Sequence, residues 1–142
     1  MQADIISFAY RGFSNSDGQV PYEAGIRRDI AAINSYFKQV IDKEGGPDKV
    51  STLIWGKSFG SCTTITACLH QPKLFGKVIL ESPLTTFQEF YRMSNFSRCH
   101  GRLYASLSSM GWDNPTGIRN IDKPLLIVSG TNDPITPITM AR

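Results

Sequence analysis

Gly56-Lys57-Ser58-Phe59-Gly60, set between an apolar run and a helical one, constrains this chain more than any other stretch. Val50–Trp55 (V-S-T-L-I-W) reads as a buried strand, and Ser61–His70 (S-C-T-T-I-T-A-C-L-H) as the helix that follows it. Glycines on either side let the backbone turn sharply, so the serine hydroxyl stands clear at the strand's carboxyl end. The backbone N–H of Phe59 then lies at a helix N-terminus, where it can help bind an oxyanion. A G-x-S-x-G pattern is common by chance, and the strand–turn–helix setting is what gives it weight. The same letters are not the end of a phosphate-binding loop. That motif needs glycine five residues before Gly56-Lys57, and the residue there is Ser51.

The rest of the chain repeats the alternation. Ile5–Tyr10 (I-I-S-F-A-Y) reads as a strand closed by a turn-rich stretch, and Pro21 suits the first position of a helix. Ile26, Ile30, Ile33, Phe37 and Val40 follow at spacings of four, three, four and three, one face of an amphipathic helix that Gly45-Gly46-Pro47 stops. Lys77–Leu80 with Glu81 makes another short strand, and Pro124–Ser129 (P-L-L-I-V-S) a further one. Strand, helix, strand, helix, strand is the rhythm of right-handed parallel βαβ units, so the fold class is α/β. Pro83–Asp122 lies between the last two strands, rich in aromatics and without a clear period.

Composition narrows the partners. The 142 residues carry a formal charge of only +3, and no Lys/Arg run exceeds Arg27-Arg28, which gives no support to nucleic acid or an anionic membrane as a partner. No apolar stretch approaches the roughly 18 residues of a membrane span, and no signal peptide opens the sequence. Cys62, Cys68 and Cys99 match no zinc spacing, and three cysteines cannot all pair. Both observations lean towards a reducing, cytoplasmic setting without deciding it.

Four blocks in order now resemble a known family. Tyr10-Arg11-Gly12-Phe13-Ser14-Asn15-Ser16-Asp17-Gly18 with Glu23-Ala24-Gly25 is similar to the Y-R-G-[YF]-G-x-S-x-G…P-S-E-x-G block of α/β-hydrolases of the Bem46 and ABHD12/13/17 group. Ile54–Gly60 resembles that group's nucleophile elbow, and Val78–Thr85 its L-E-[NS]-P-[FL]-T segment. Pro124–Pro137 (P-L-L-I-V-S-G-T-N-D-P-I-T-P) resembles the block that carries the acid of a Ser-Asp-His triad. The resemblance implies a mostly parallel sheet flanked by helices, with a cap-like insert at about 84–121. It makes Ser58 the nucleophile, Asp133 the acid that orients a histidine, and Phe59 the donor of one oxyanion-hole N–H. Such a site attacks an ester, thioester or amide carbonyl through an acyl-enzyme that water cleaves. The implied partner is a small-molecule or lipid-like acyl substrate. No metal or organic cofactor is implied. Membrane attachment and oligomeric state are left open.

The chain departs from that pattern at Ser14, where the group usually has Gly, and at Tyr22, where it usually has Ser; neither touches the chemistry. Two other departures do. The triad order Ser…Asp…His puts the histidine after Asp133 and one more strand, whereas His70 and His100, the two present, both precede it. His70 ends the nucleophile helix, ~18 Å from Ser58 at 1.5 Å per residue. The resemblance also places an H-G oxyanion loop and its strand before the Y-R-G block, with that strand between Ile5–Tyr10 and Val50–Trp55. The expectation is a partial α/β-hydrolase domain over residues 1–142, inactive alone and prone to aggregate through open strand edges. The catalytic histidine is then not in this chain.

Competing readings stay beside these. A serine aminopeptidase-like hydrolase shares the elbow and the Asp block, and a non-catalytic truncated relative acting as a binding module would also lack the histidine. Asp133 beside Pro134 is also an ordinary turn residue. Tyr10 and Arg11 read as closing a strand-to-helix turn, and Glu81 as hydrogen-bonded to a neighbouring loop or facing a ligand. Phe87, Phe90, Tyr91, Phe96, Tyr104 and Trp112 line an acyl pocket or form a small core of the insert. Asn95-Phe96-Ser97 matches a glycosylation sequon, a short pattern that also arises by chance.

Overall fold

A computed structural model describes residues 3–18, 21–93 and 110–141. Helix α1, Glu23–Lys43, buries Ile26, Ile30 and Ile41 with Asn34 between them, and Asn34 Nδ2 donates to the Ala67 carbonyl at 2.9 Å. Ile33, Phe37 and Val40 form the half-buried flank of that stripe, where Phe37 stacks on Phe75 at 5.4 Å. Pro21 is not the first helical residue. Tyr22 is the N-cap and Glu23 the first position, and Tyr22 makes no side-chain capping bond. A phenol cannot reach back to the first turn as a serine hydroxyl does, a difference of ~1 kcal/mol in helix stability. The Tyr22 ring instead receives the guanidinium groups of Arg11 at 5.2 Å and Arg28 at 5.7 Å.

Three parallel strands follow: β1 (Leu53–Lys57), β2 (Lys77–Glu81) and β3 (Leu125–Val128), in that order across the sheet. Leu53 pairs with Lys77 and Lys57 with Glu81, while Val78 pairs with Leu125 and Glu81 with Val128. Parallel neighbours require crossovers. Helix α2 (Phe59–His70) makes the first, and α3 (Phe87–Met93) with α4 (Asn114–Arg119) lies along the second. A 3-10 turn, Ile138–Ala141, follows β3.

Strand β1 starts later than the apolar run suggests, because Thr52 is occupied elsewhere. Its hydroxyl donates to the Leu74 carbonyl at 2.9 Å and its carbonyl accepts the N–H groups of Gly76 and Lys77, both at 3.2 Å. Pro124 and Ser129 likewise fall outside β3. Ile5–Tyr10, read above as a strand, joins no ladder. An apolar run does not make a strand without a neighbour for its backbone groups, and no described segment pairs with it. Ile5, Ile6 and Phe8 are accordingly exposed.

The core sits on one side of the sheet. Val78 and Leu80 are buried there against Ile26, Ile30, Cys62, Ile65 and Phe75. The opposite face carries Leu53, Trp55, Leu126 and Val128, all exposed, with Trp55 at 62%. Parallel sheets ordinarily have both faces covered.

Candidate active site

The elbow leaves β1 at Lys57 and enters α2 at Phe59, so Ser58 alone makes the turn. Its φ of 50° and ψ of −117° lie where L-residues are strained by ~1–3 kcal/mol. Neither flanking glycine has a positive φ, which corrects the expectation that glycines supply the turn. Gly56 serves close approach instead: a Cβ there would lie 2.2 Å from the Gly60 carbonyl oxygen and 2.3 Å from Thr64 Oγ1. The bend is held from both sides. Ser58 N–H donates to the Glu81 carbonyl at 2.8 Å. The Ser58 carbonyl accepts Ser61 N–H at 2.9 Å and the Ser61 hydroxyl at 2.6 Å. Asn114 Nδ2 donates in turn to Ser61 Oγ at 3.2 Å and to the Leu84 carbonyl at 2.6 Å. Phe59 N–H opens α2 and belongs to the first turn, whose N–H groups have no intrahelical acceptor.

Asp133 lies on the loop that leaves β3, at the same carboxyl edge as Ser58 and two strands away, about 10 Å by strand spacing. Its Oδ1 accepts the N–H groups of Ile135 and Thr136, both at 2.9 Å. Its Oδ2 accepts the Thr136 hydroxyl at 2.8 Å and the Ser82 hydroxyl at 3.1 Å. The Thr136 N–H, then the Ile135 N–H and the Thr136 hydroxyl, hold the carboxyl down to about 2, so it is ionised throughout the neutral range. These bonds also make an ordinary Asp turn, so the loop geometry suits either reading of this residue.

Glu81 finds a different partner from the loop expected above. Its carboxylate meets Lys57 Nζ at 2.7 Å, directly across the β1–β2 register, and this hydrogen bond raises the lysine's pKa. Arg11 closes the turn into α1, whereas the Tyr10 side chain reaches α2. Tyr10 Oη lies 2.9 Å from Thr63 Oγ1, and Arg11 grips Asp29 at 2.6 and 2.5 Å. Gly25 makes room for that guanidinium, since a Cβ there would stand 2.5 Å from Arg11 Nη1. Ser14 holds a φ of 52°, which explains why a glycine suits that place.

The Phe59 ring anchors an aromatic wall. It stacks on Trp112 at 5.4 Å and contacts Phe87 at 5.6 Å and Tyr10 at 5.3 Å. Phe87 and Trp112 are buried in the main core, and Phe90 is half-buried against it. Phe96, Tyr104, Cys99, His100, the Asn95-Phe96-Ser97 sequon and the Tyr91 side chain lie outside the described residues. His70 is exposed at the far end of α2 from Ser58. Burial pushes the Cys62 and Cys68 thiols up to about 12, so neither offers a thiolate. Among the described residues no three His, Cys, Asp or Glu side chains gather as metal ligands, and no helix is long and apolar enough to cross a membrane.

Ser61, Ser82 and Asn114 were not singled out by sequence reasoning. Ser82 lay within a recognised segment, but nothing in the letters paired it with Asp133. Asn114 carried no signal beyond a helix start before Pro115.

A family model described as the prolyl oligopeptidase family matches residues 28–141. The lysophosphatidylserine lipase ABHD12 of Macaca fascicularis is 27% identical, aligned over 97% of this chain and 36% of its own length. That of Xenopus tropicalis is 28% identical over 97% and 37%. The chain thus spans little more than a third of the length of these relatives. Among solved structures, Pyrococcus horikoshii acylaminoacyl peptidase superposes with a TM-score of 0.55 at 19% identity, over 79% of this chain and 19% of that one. A monoacylglycerol lipase of Paleococcus ferrophilus superposes at 0.50 and 14% identity, over 82% and 58%. Both carry the α/β-hydrolase fold, and this chain shares it.

Proposed function

The chain belongs to the prolyl oligopeptidase family within the α/β-hydrolases, and from that premise we propose that Ser58 is the nucleophile of a serine hydrolase acting on acyl esters or thioesters. The observation that carries the reading is Ser58 held at φ 50° on the strand-to-helix turn, on the sheet edge that also presents Asp133. A strained serine persists only where its surroundings over-determine it, and such strain gathers at functional sites.

The chemistry follows from position. Ser58 Oγ attacks the acyl carbonyl, its proton passing to an imidazole, and the oxyanion that forms faces the Phe59 N–H at the start of α2. The imidazole returns the proton to the leaving alcohol or thiol, and water then cleaves the acyl-enzyme. Asp133, ionised and ~10 Å from Ser58 by strand spacing, orients an imidazole seated between them in this reading. His70 cannot be that imidazole, and the base is then a histidine that follows Asp133 in the triad order and is not in this chain. From the insert at about 84–121, Phe87 and Trp112 buttress Phe59 beside the proposed acyl site. Lipid-derived esters suit this reading, since the curated relatives are named lysophosphatidylserine lipases.

A second reading is a peptidase, favoured by the family's own description and by the acylaminoacyl peptidase among the solved structures. Turnover of p-nitrophenyl butyrate and a lysophospholipid against an aminoacyl amide, measured on the intact protein, separates the two. Ser58→Ala is expected to abolish both hydrolysis and fluorophosphonate labelling. Labelling that survives the substitution would remove Ser58 from the mechanism.

A further inference from the structure

Ser82 has no part in the reading above, yet it is the residue that joins the two halves of the site. It sits one position past β2 with a φ of 45°, a left-handed conformation that glycine adopts without steric penalty. Serine there supplies what glycine cannot, a hydroxyl. Its N–H donates to the Val128 carbonyl at 2.7 Å and its Oγ–H to Asp133 Oδ2 at 3.1 Å. One residue earlier, the Glu81 carbonyl accepts Ser58 N–H at 2.8 Å, and the Glu81 carboxylate takes Lys57 Nζ at 2.7 Å. Glu81-Ser82 is therefore fastened to the elbow on one side and to the acid loop on the other.

The donors to Asp133 divide unequally. Ile135 N–H, Thr136 N–H and the Thr136 hydroxyl all belong to the turn that Asp133 itself begins. They fix the carboxylate relative to its own loop and tie it to no other element. Ser82 is the donor that comes from another element, and that element lies between the strands carrying Ser58 and Asp133. We infer that Ser82 is a positioning residue, setting the rotation of the Asp133 carboxylate and its distance from Ser58. This rests on the reading of Ser58 and Asp133 as nucleophile and acid.

Two substitutions that tolerate a left-handed backbone separate the hydroxyl from the bend. In the intact protein Ser82→Gly keeps the conformation and removes the donor; Ser82→Asn keeps both the conformation and a donor. With p-nitrophenyl butyrate, Ser82→Gly should lower kcat about tenfold at unchanged KM, the loss expected of one hydrogen bond to a charged group. Ser82→Asn should recover most of it. The Asp133 carboxyl carbon resonance, titrated in the same variants, should show a midpoint raised by Ser82→Gly and restored by Ser82→Asn, a readout independent of turnover. If Ser58→Ala abolishes hydrolysis while Ser82→Gly keeps wild-type kcat and an unmoved Asp133 midpoint, the positioning role is overturned and the site reading stands. If Ser58→Ala is itself silent, both fall together.

Discussion

At the carboxyl edge of the sheet, Ser58 is bonded to Glu81 at 2.8 Å and Ser82 to Asp133 at 3.1 Å, and two of the four have positive φ. At the amino edge, Lys49, Lys73, Lys77 and Lys123 border an open cleft of about 440 Å³. There a single ion pair is found among the described residues, Lys123 with Asp122 at 3.2 Å. The same three strands supply both edges. Strain and charge pairing at one end require a frame that over-determines each atom, whereas hydrated lysines at the other require almost nothing of the backbone. A residue's sensitivity to substitution should therefore follow its edge, not its depth alone.

The sharpest break of that contrast is Gly56→Ala. A Cβ 2.2 Å from the Gly60 carbonyl must part α2 from β1, and overpacking of this kind costs ~3 kcal/mol or more. Urea unfolding should show a midpoint far below wild type; a change under ~0.5 kcal/mol would mean the elbow is loosely packed.

A smaller effect belongs to acid. Hydrogen bonds lower the Asp133 carboxyl from 3.8 to about 2, so the folded state binds its proton less readily than the unfolded chain does. The stability this confers is complete above about pH 4 and is lost as pH falls through the folded value near 2. Asp133→Asn should flatten the stability–pH curve in that window; an unchanged slope would show that the carboxylate is not held as described.

The least effect is expected at the amino edge. Lys73→Glu, on an exposed side chain of the cleft, should shift stability by no more than ~0.5 kcal/mol and leave turnover unaltered. A loss comparable to that of Gly56→Ala would erase the distinction between the edges.

Much of this was legible in the letters, and the reason is locality. The elbow, α1, α2 and the β2 segment each depend on residues within a turn or two, where periodicity and glycine placement report directly. Ile5–Tyr10 misled because an apolar run reports a tendency to be buried, and a strand also needs a partner. Gly56 was noticed for the wrong reason, since turn flexibility and close approach leave the same letter in the sequence.

By itself the sequence determined α1, β1, α2, β2 and β3 in that order, the α/β class and the serine at the strand-to-helix turn. Only the tertiary structure decided that Ser82 reaches Asp133 across 51 positions, that Asn114 braces Ser61 across 53, and that four lysines spread from Lys49 to Lys123 share one cleft. Hydrogen bonds and fields act over a few ångströms of space, and parallel pairing brings residues from distant crossovers to the same edge. Contacts made that way leave no period in the chain.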